Sequence, residues 1–190
     1  MESYCLEKCL SSVTELLSEP KLTGTAPNLR LTQWMAPAAF DLRDAAQREL
    51  CERYNTDSIG PDPDGEKAVA MIVLSVLING HREDVGCAAL MDMTGEYEEF
   101  SGPVVEVKRV YVRPEFRGNG YSRLLMEEIE HQARRYSQRA DRIGLRVLLE
   151  TGTAQPEAIN LYESLGYQSI ATYGGWKDDP QSRCYELVLN

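Results

Sequence analysis

The chain carries two histidines and five cysteines in 190 residues, and each scarcity removes a class of chemistry. By their neighbours, His81 belongs to a hairpin loop and His131 to a helix among glutamates and arginines. Neither is placed as a catalytic base. Cys5, Cys9, Cys51, Cys87 and Cys184 are scattered, odd in number and without the histidine-bearing spacings of a zinc site. They read as reduced, structural thiols, and no metal is expected. Long apolar runs are also lacking: Ala68–Ile78 (AVAMIVLSVLI) is the longest, far short of a membrane span, and the N-terminus shows no basic-then-apolar signal pattern. A cytoplasmic location is expected, with the nucleus also open, and no membrane partner. Positive charge is in deficit, with 20 Lys and Arg against 30 Asp and Glu and a net charge of −10. Phosphate neutralisation needs clustered cations, so nucleic acid is disfavoured as a partner. A cationic substrate suits this balance, as does plain solubility.

What is present is the mixture of a globular protein, 43% hydrophobic and 26% charged, in a length that supports one substantial core. Leu6, Leu10, Val13 and Leu17 repeat at helical spacing until Glu19-Pro20, giving an added N-terminal helix over 4–18 and an extension with its connector over 1–27. The domain proper spans 28–190, and nothing in the composition decides between a monomer and a homodimer. A short strand is expected around Leu29 and Leu31, then a helix over 38–54 on which Leu42, Ala46, Leu50 and Tyr54 share a face. Thr56–Gly65 is an acidic, turn-rich loop, either beside a substrate pocket or a solvated connector. Strand patterns at 68–78, 85–91 and 104–112 read as an antiparallel meander, the first two joined through Asn79-Gly80. From Gly120 the period lengthens, and Leu125, Ile129, Ala133 and Tyr136 mark a long helix before a strand over 143–149. Strand, helix and strand of these lengths imply a parallel pair with a crossover. A helix over 156–165 stopped by Gly166, and strands at 167–173 and 183–189, complete an α/β (α+β) fold with a mixed, mostly antiparallel sheet flanked by helices.

The stretch Glu115–Glu130 (EFRGNGYSRLLMEEIE) sets two glycines and an arginine between a strand ending at Val112 and a helix starting near Asn119. Free backbone N–H groups at such a helix start, the positive end of its dipole and the Arg117 fork make a phosphate site. Gly118 and Gly120 allow close approach to the backbone. There is no Gly-Lys-Ser/Thr ending for a nucleoside triphosphatase, and no third glycine for a dinucleotide fold.

Val104–Gly120 (VVEVKRVYVRPEFRGNG) together with Leu149–Tyr167 (LETGTAQPEAINLYESLGY) strongly resembles the GNAT superfamily of acyl-CoA-dependent N-acyltransferases. The clear resemblance spans 104–167, a weaker match in element order reaches from 28 to 189, and residues 1–27 lie outside it. It implies acetyl-CoA as acyl donor and direct attack by a primary amine, small-molecule or peptide, in a ternary complex. It also implies that Arg117, Gly118, Asn119, Gly120, Tyr121 and Ser122 cradle the pyrophosphate, with Ser122 where the family pattern has glycine or alanine. Val110, Tyr111 and Val112 would pair through their backbone with the pantetheine arm, and Gln155 stands where the family has a pantetheine-bonding asparagine. Tyr162 matches the tyrosine that many members use as general acid; in isolation a helical tyrosine is more often a packing residue, and the motif around it favours the catalytic role. Two glutamates are candidate bases. Glu106 alternates with Lys108 on a valine-rich strand, as a buried base or half of an ion pair. Glu150 ends the next parallel strand, as a base or a turn cap, and a water relay from either is open. The Tyr173–Ser182 loop is a wall for a cationic or aromatic amine, or an ordinary turn. No cysteine in the motif region offers a covalent route. A CoA-binding module without catalysis is the alternative of a different class.

Overall fold

The computed structural model describes residues 26–59, 62–139 and 142–189, so the helix expected over 4–18 lies outside the described residues. The elements run β1 (Asn28–Thr32), α1 (Pro37–Tyr54), β2 (Ala68–Ile78), β3 (His81–Asp92), β4 (Val104–Val112), α2 (Tyr121–Arg139), β5 (Leu145–Gly152), α3 (Pro156–Ser164), β6 (Gln168–Ile170) and β7 (Ser182–Leu189). They build one seven-stranded sheet in the order β1-β2-β3-β4-β5-β7-β6. Among the described residues only β4 and β5 are parallel; every other pair is antiparallel. This is the mixed, mostly antiparallel α/β architecture expected.

Helices cover both faces. On one side α2 and α3 pack Leu125, Met126, Ile129 and Tyr162 against Ile72, Leu74, Leu90, Val105, Val107 and Val147. On the other, Ala39 and Leu42 of α1 meet Met71, Val73, Cys87, Ala89 and Met91. Because β2 is buried from both directions, its sequence is a continuous apolar run rather than an alternating one. Three boundaries differ from the expected ones. β3 begins four residues early, at His81, since the Asn79-Gly80 corner, with φ of 49° and 82°, closes a two-residue hairpin and pairing starts at once with Ile78↔His81. β5 starts after Gly144, held at φ 71°, and runs on to Gly152 because β7 pairs with it as far as Ser182. β6 is cut to Gln168–Ile170, where its pairing with β7 ends.

One irregularity shapes the centre. Between β3 and β4 the pairs Cys87↔Tyr111 and Ala89↔Lys108 bracket an extra residue in β4, a β-bulge with Arg109 at φ 57°. A left-handed arginine costs about 1–3 kcal/mol, which the surrounding ladder sustains. The bulge turns the end of β4, and its pairing with β5 stops at Val107↔Leu149. Beyond that point the two parallel strands part, one running to Val112 and the other to Gly152.

Candidate active site

The parting of β4 and β5 opens a cleft of about 380 Å³ between the end of β4, the turn after it, and helices α1, α2 and α3. Val110, Tyr111, Val112, Arg117, Gly118, Gly120, Tyr121, Ser122, Gln155 and Tyr162 all line it. Of the thirteen residues singled out from the sequence, Asn119, Glu106 and Glu150 do not.

The turn is built by its glycines. Gly118 and Gly120 adopt φ of 78° and 76°, where a side chain would be strained, and a Cβ at either would point into open space. Asn119 braces the turn from behind, its Nδ2 donating to the carbonyls of Phe116 at 3.0 Å and Arg117 at 3.2 Å. Since α2 opens at Tyr121, its first N–H groups have no intrahelical partner, and Tyr121, Ser122 and Arg123, which carry them, line the cleft.

Arg117 is already engaged. Its Nε donates to the Val112 carbonyl at 2.9 Å and its Nη2 to Glu49 Oε2 at 2.5 Å. Glu49 also takes Arg53 at 3.1 Å, and Arg53 pairs with Glu157 at the start of α3. A chain of alternating charges thus crosses the cleft from the turn over α1 to α3. Burial raises the Tyr111 phenol, and the Glu49 charge adds to the shift. Ala46, Glu49, Leu50 and Arg53 were not expected as site residues. The only sequence signal was the shared face of Ala46 and Leu50 on α1, because α1 and the turn are 68 residues apart in the chain.

The two glutamates sit in contrasting surroundings. Glu106 has no solvent exposure and accepts from Tyr97 Oη at 2.6 Å, Tyr173 Oη at 2.8 Å and Lys108 Nζ at 2.8 Å. Burial first, then the Glu106 charge, holds both phenols protonated far above their ordinary range. Tyr97 has no local signal in the sequence. Lys108 in turn lies under Trp176, 5.4 Å from its ring centre, so the Tyr173–Ser182 loop closes over the pair. Glu150 accepts one hydrogen bond, from Ser182 Oγ at 2.7 Å. Burial pushes its carboxyl up, Ser182 and Lys108 oppose the rise, and the nearby Glu106 and Asp179 charges add to it.

Tyr162 projects from α3 into the core edge of the cleft, 6% exposed, its ring 6.2 Å from that of Tyr167 and 6.4 Å from that of Tyr185. Burial, and after it the charge of Glu150, raise its phenol well above the ordinary value of 10. His131 is an exposed helix residue beside Glu128, and His81 is exposed at the start of β3. Among the described residues no cluster of His, Cys, Asp or Glu is placed to hold a metal ion, and no helix is long and apolar enough to cross a membrane.

The sequence and the fold have counterparts among known proteins. The sequence model of the acetyltransferase (GNAT) domain matches residues 72–169. The chain belongs to the GNAT acetyltransferase family. An IAA acetyltransferase of Azospirillum brasilense is 37% identical over 106 residues, covering 55% of this chain and 61% of that protein, so the match spans less than two thirds of the relative's length. A Klebsiella pneumoniae protein assigned as an acyl-CoA N-acyltransferase superposes with a TM-score of 0.61 at 26% identity, over 86% of this chain and 98% of the other. A GNAT acetyltransferase of Elizabethkingia anophelis, solved with acetyl-CoA bound, gives 0.54 at 14% identity over 86% and 98%.

Proposed function

We propose that the protein moves an acetyl group from acetyl-CoA to an amine by direct attack in a ternary complex. The observation that carries this is the cleft itself. It joins the end of β4, the Arg117–Ser122 turn and Tyr162 where β4 and β5 part, and its chemistry suits the parts of one donor molecule.

Beyond Val107, the backbone of Val110, Tyr111 and Val112 no longer pairs with β5, which leaves it available to the amides of a pantetheine arm. Arg117, Gly118, Gly120, Tyr121 and Ser122 offer N–H groups and one guanidinium to a diphosphate, with Asn119 holding the turn in shape. Gln155, immediately before α3, faces the same cleft and has an amide for the arm. When bound, acetyl-CoA supplies the activated acyl group as a thioester.

The attacking amine must be uncharged and the leaving sulfur must gain a proton. Glu150 is the proposed proton acceptor, directly or through a water. A carboxylate with a raised pKa is closer in proton affinity to the group it must relieve than an ordinary one. Glu106, occupied by three donors, holds Lys108 and the loop instead. Tyr162 is the proposed donor to sulfur. Its proton is held tightly while Glu150 is charged, and neutralising Glu150 removes that part of the hold. Taking a proton from the amine at Glu150 therefore readies Tyr162 to give one to the thiolate.

Two measurements test this together: calorimetric binding of acetyl-CoA, and release of free CoA with a mixture of primary amines present or absent. Micromolar-range binding with amine-dependent release is expected. Binding with no release would make the protein a CoA-binding module, and no binding would remove the assignment of the cleft.

A further inference from the structure

Beside the cleft, on the α1 face of the sheet, two arginines share one carboxylate. Arg43 of α1 is 3% exposed, stacked 3.7 Å from the Trp34 ring centre. Its Nη2 donates to the Trp34 carbonyl at 3.1 Å, its Nη1 pairs with Asp62 Oδ2, and its buried Nε has no partner among the described residues. Arg109, the bulge residue of β4, gives Nε and Nη2 to Asp62 Oδ1 at 3.3 and 3.2 Å and Nη1 to Gln47 Oε1 at 2.7 Å. Each oxygen of Asp62 is thus taken by a different arginine. We propose that Arg43 and Arg109 form a carboxylate-binding subsite, held in this structure by Asp62, and that the acceptor is an amino acid whose carboxylate displaces it.

Three features favour an exchangeable ligand over a fixed structural pair. A buried guanidinium is ordinarily matched by a buried anion, yet the Asp62 side chain is 53% exposed while those of Arg43 and Arg109 are 3% and 12% exposed. Two guanidiniums converge on the single carboxylate of Asp62, one on each oxygen. The Nε of Arg43 is a buried donor with nothing to bond, a group that costs stability unless something occupies it. Planar, forked donors are also the geometry that recognises a carboxylate rather than a lone dipole.

The position fits an acceptor. Arg109 directly precedes Val110, a wall of the cleft, and Gln47 directly follows Ala46, another. The subsite is thus one residue along the chain from the cleft lining on both β4 and α1, and the proposed acceptor reaches from the arginines to the cleft. Asp62 belongs to the segment between α1 and β2 and lies in neither element.

This inference rests on the proposed acetyl transfer, and its test separates the two. The twenty L-amino acids, each beside its carboxamide, are assayed with acetyl-CoA for CoA release. At least one acid is expected to show a KM about 10–100-fold below its amide, the range for charge-assisted hydrogen bonds. In Asp62→Asn the internal competitor is gone, and the amide-to-acid KM ratio is expected to widen at least about threefold. In Arg109→Gln, with acetyl-CoA affinity by calorimetry as the check on folding, the ratio is expected to fall to within about twofold of unity. A structural counter-ion predicts an equal loss for acid and amide in Asp62→Asn, with the ratio unchanged, and that result overturns the subsite. Transfer to amides as good as to acids also overturns it while leaving acetyl transfer standing. Bound acetyl-CoA with no release to any member overturns the subsite, and release to the primary-amine mixture then decides whether acetyl transfer itself stands.

Discussion

Replacing Glu49 by glutamine is expected to tighten CoA binding, which is the opposite of what loss of a cleft residue usually does. The Glu49 carboxylate stands 2.5 Å from Arg117 Nη2, the guanidinium assigned to the diphosphate. Two costs follow when the donor binds. Arg117 must be shared or released, and for side chains that are 39% and 25% exposed such a pair is worth about 0.2–1 kcal/mol. A phosphate on the far side of the guanidinium would lie roughly 6 Å from Glu49, where like charges repel by about 0.7 kcal/mol per charge in water before salt screening. Together the two come to about 1–2 kcal/mol, or about 5–30-fold in Kd. Calorimetry of CoA binding to both proteins, at low and at high salt, reads this directly. The gain should shrink as salt rises. Unchanged or weaker binding in Glu49→Gln would mean that the pair orients Arg117 for its ligand rather than competing for it.

Glu150→Gln should slow turnover, with the loss eased at high pH where free amine is abundant, and should also stabilise the fold near neutrality. Because the folded carboxyl is raised above its ordinary 4.5, the wild-type protein loses stability as pH climbs from there through the folded value, and the uncharged amide does not. Melting temperatures from about pH 4 to 8 should therefore diverge upward, and parallel curves would refute the raised pKa. Gly152→Ala puts a Cβ 1.7 Å from the Tyr54 hydroxyl, an overlap expected to cost about 1–3 kcal/mol in urea unfolding. Adding Tyr54→Phe should recover part of that cost, since the buried hydroxyl has no partner to lose. Tyr173→Phe removes a 2.8 Å bond to a fully buried carboxylate and should cost about 1.5–3 kcal/mol by the same assay, and a neutral result would show that Tyr97 and Lys108 suffice.

Local signals carried much of this molecule. The apolar β2 run, the Asn79-Gly80 corner, the two glycines before Tyr121 and the Leu125–Ile129–Ala133 face each follow from short-range patterning, and each stands where expected. What was missed depends on chain reversal. Nothing near Glu49 signals Arg117, nothing near Tyr97 signals Glu106, and Arg43, Asp62 and Arg109 come from three separate elements. The bulge at Arg109 left no mark either, because a left-handed residue in a strand is commonly announced by glycine or asparagine, and here it is an arginine held by contacts on its side chain. The choice between Glu106 and Glu150 was likewise open in the sequence. Burial of one under two phenols and a lysine, and of the other beside a single serine, is decided by the packing of the Tyr173–Ser182 loop.

The central claim is that acetyl transfer occurs where β4 and β5 part, with the Tyr162 hydroxyl at the departing sulfur. Tyr162→Phe keeps the ring that packs against Tyr167 and Tyr185 and removes only the hydroxyl. Single-turnover transfer, measured with chemistry limiting and alongside acetyl-CoA calorimetry, is expected to fall by about 10²–10⁴-fold with affinity nearly unchanged. A rate within about threefold of the parent would contradict the role, leaving water or an unprotonated thiolate to complete the reaction.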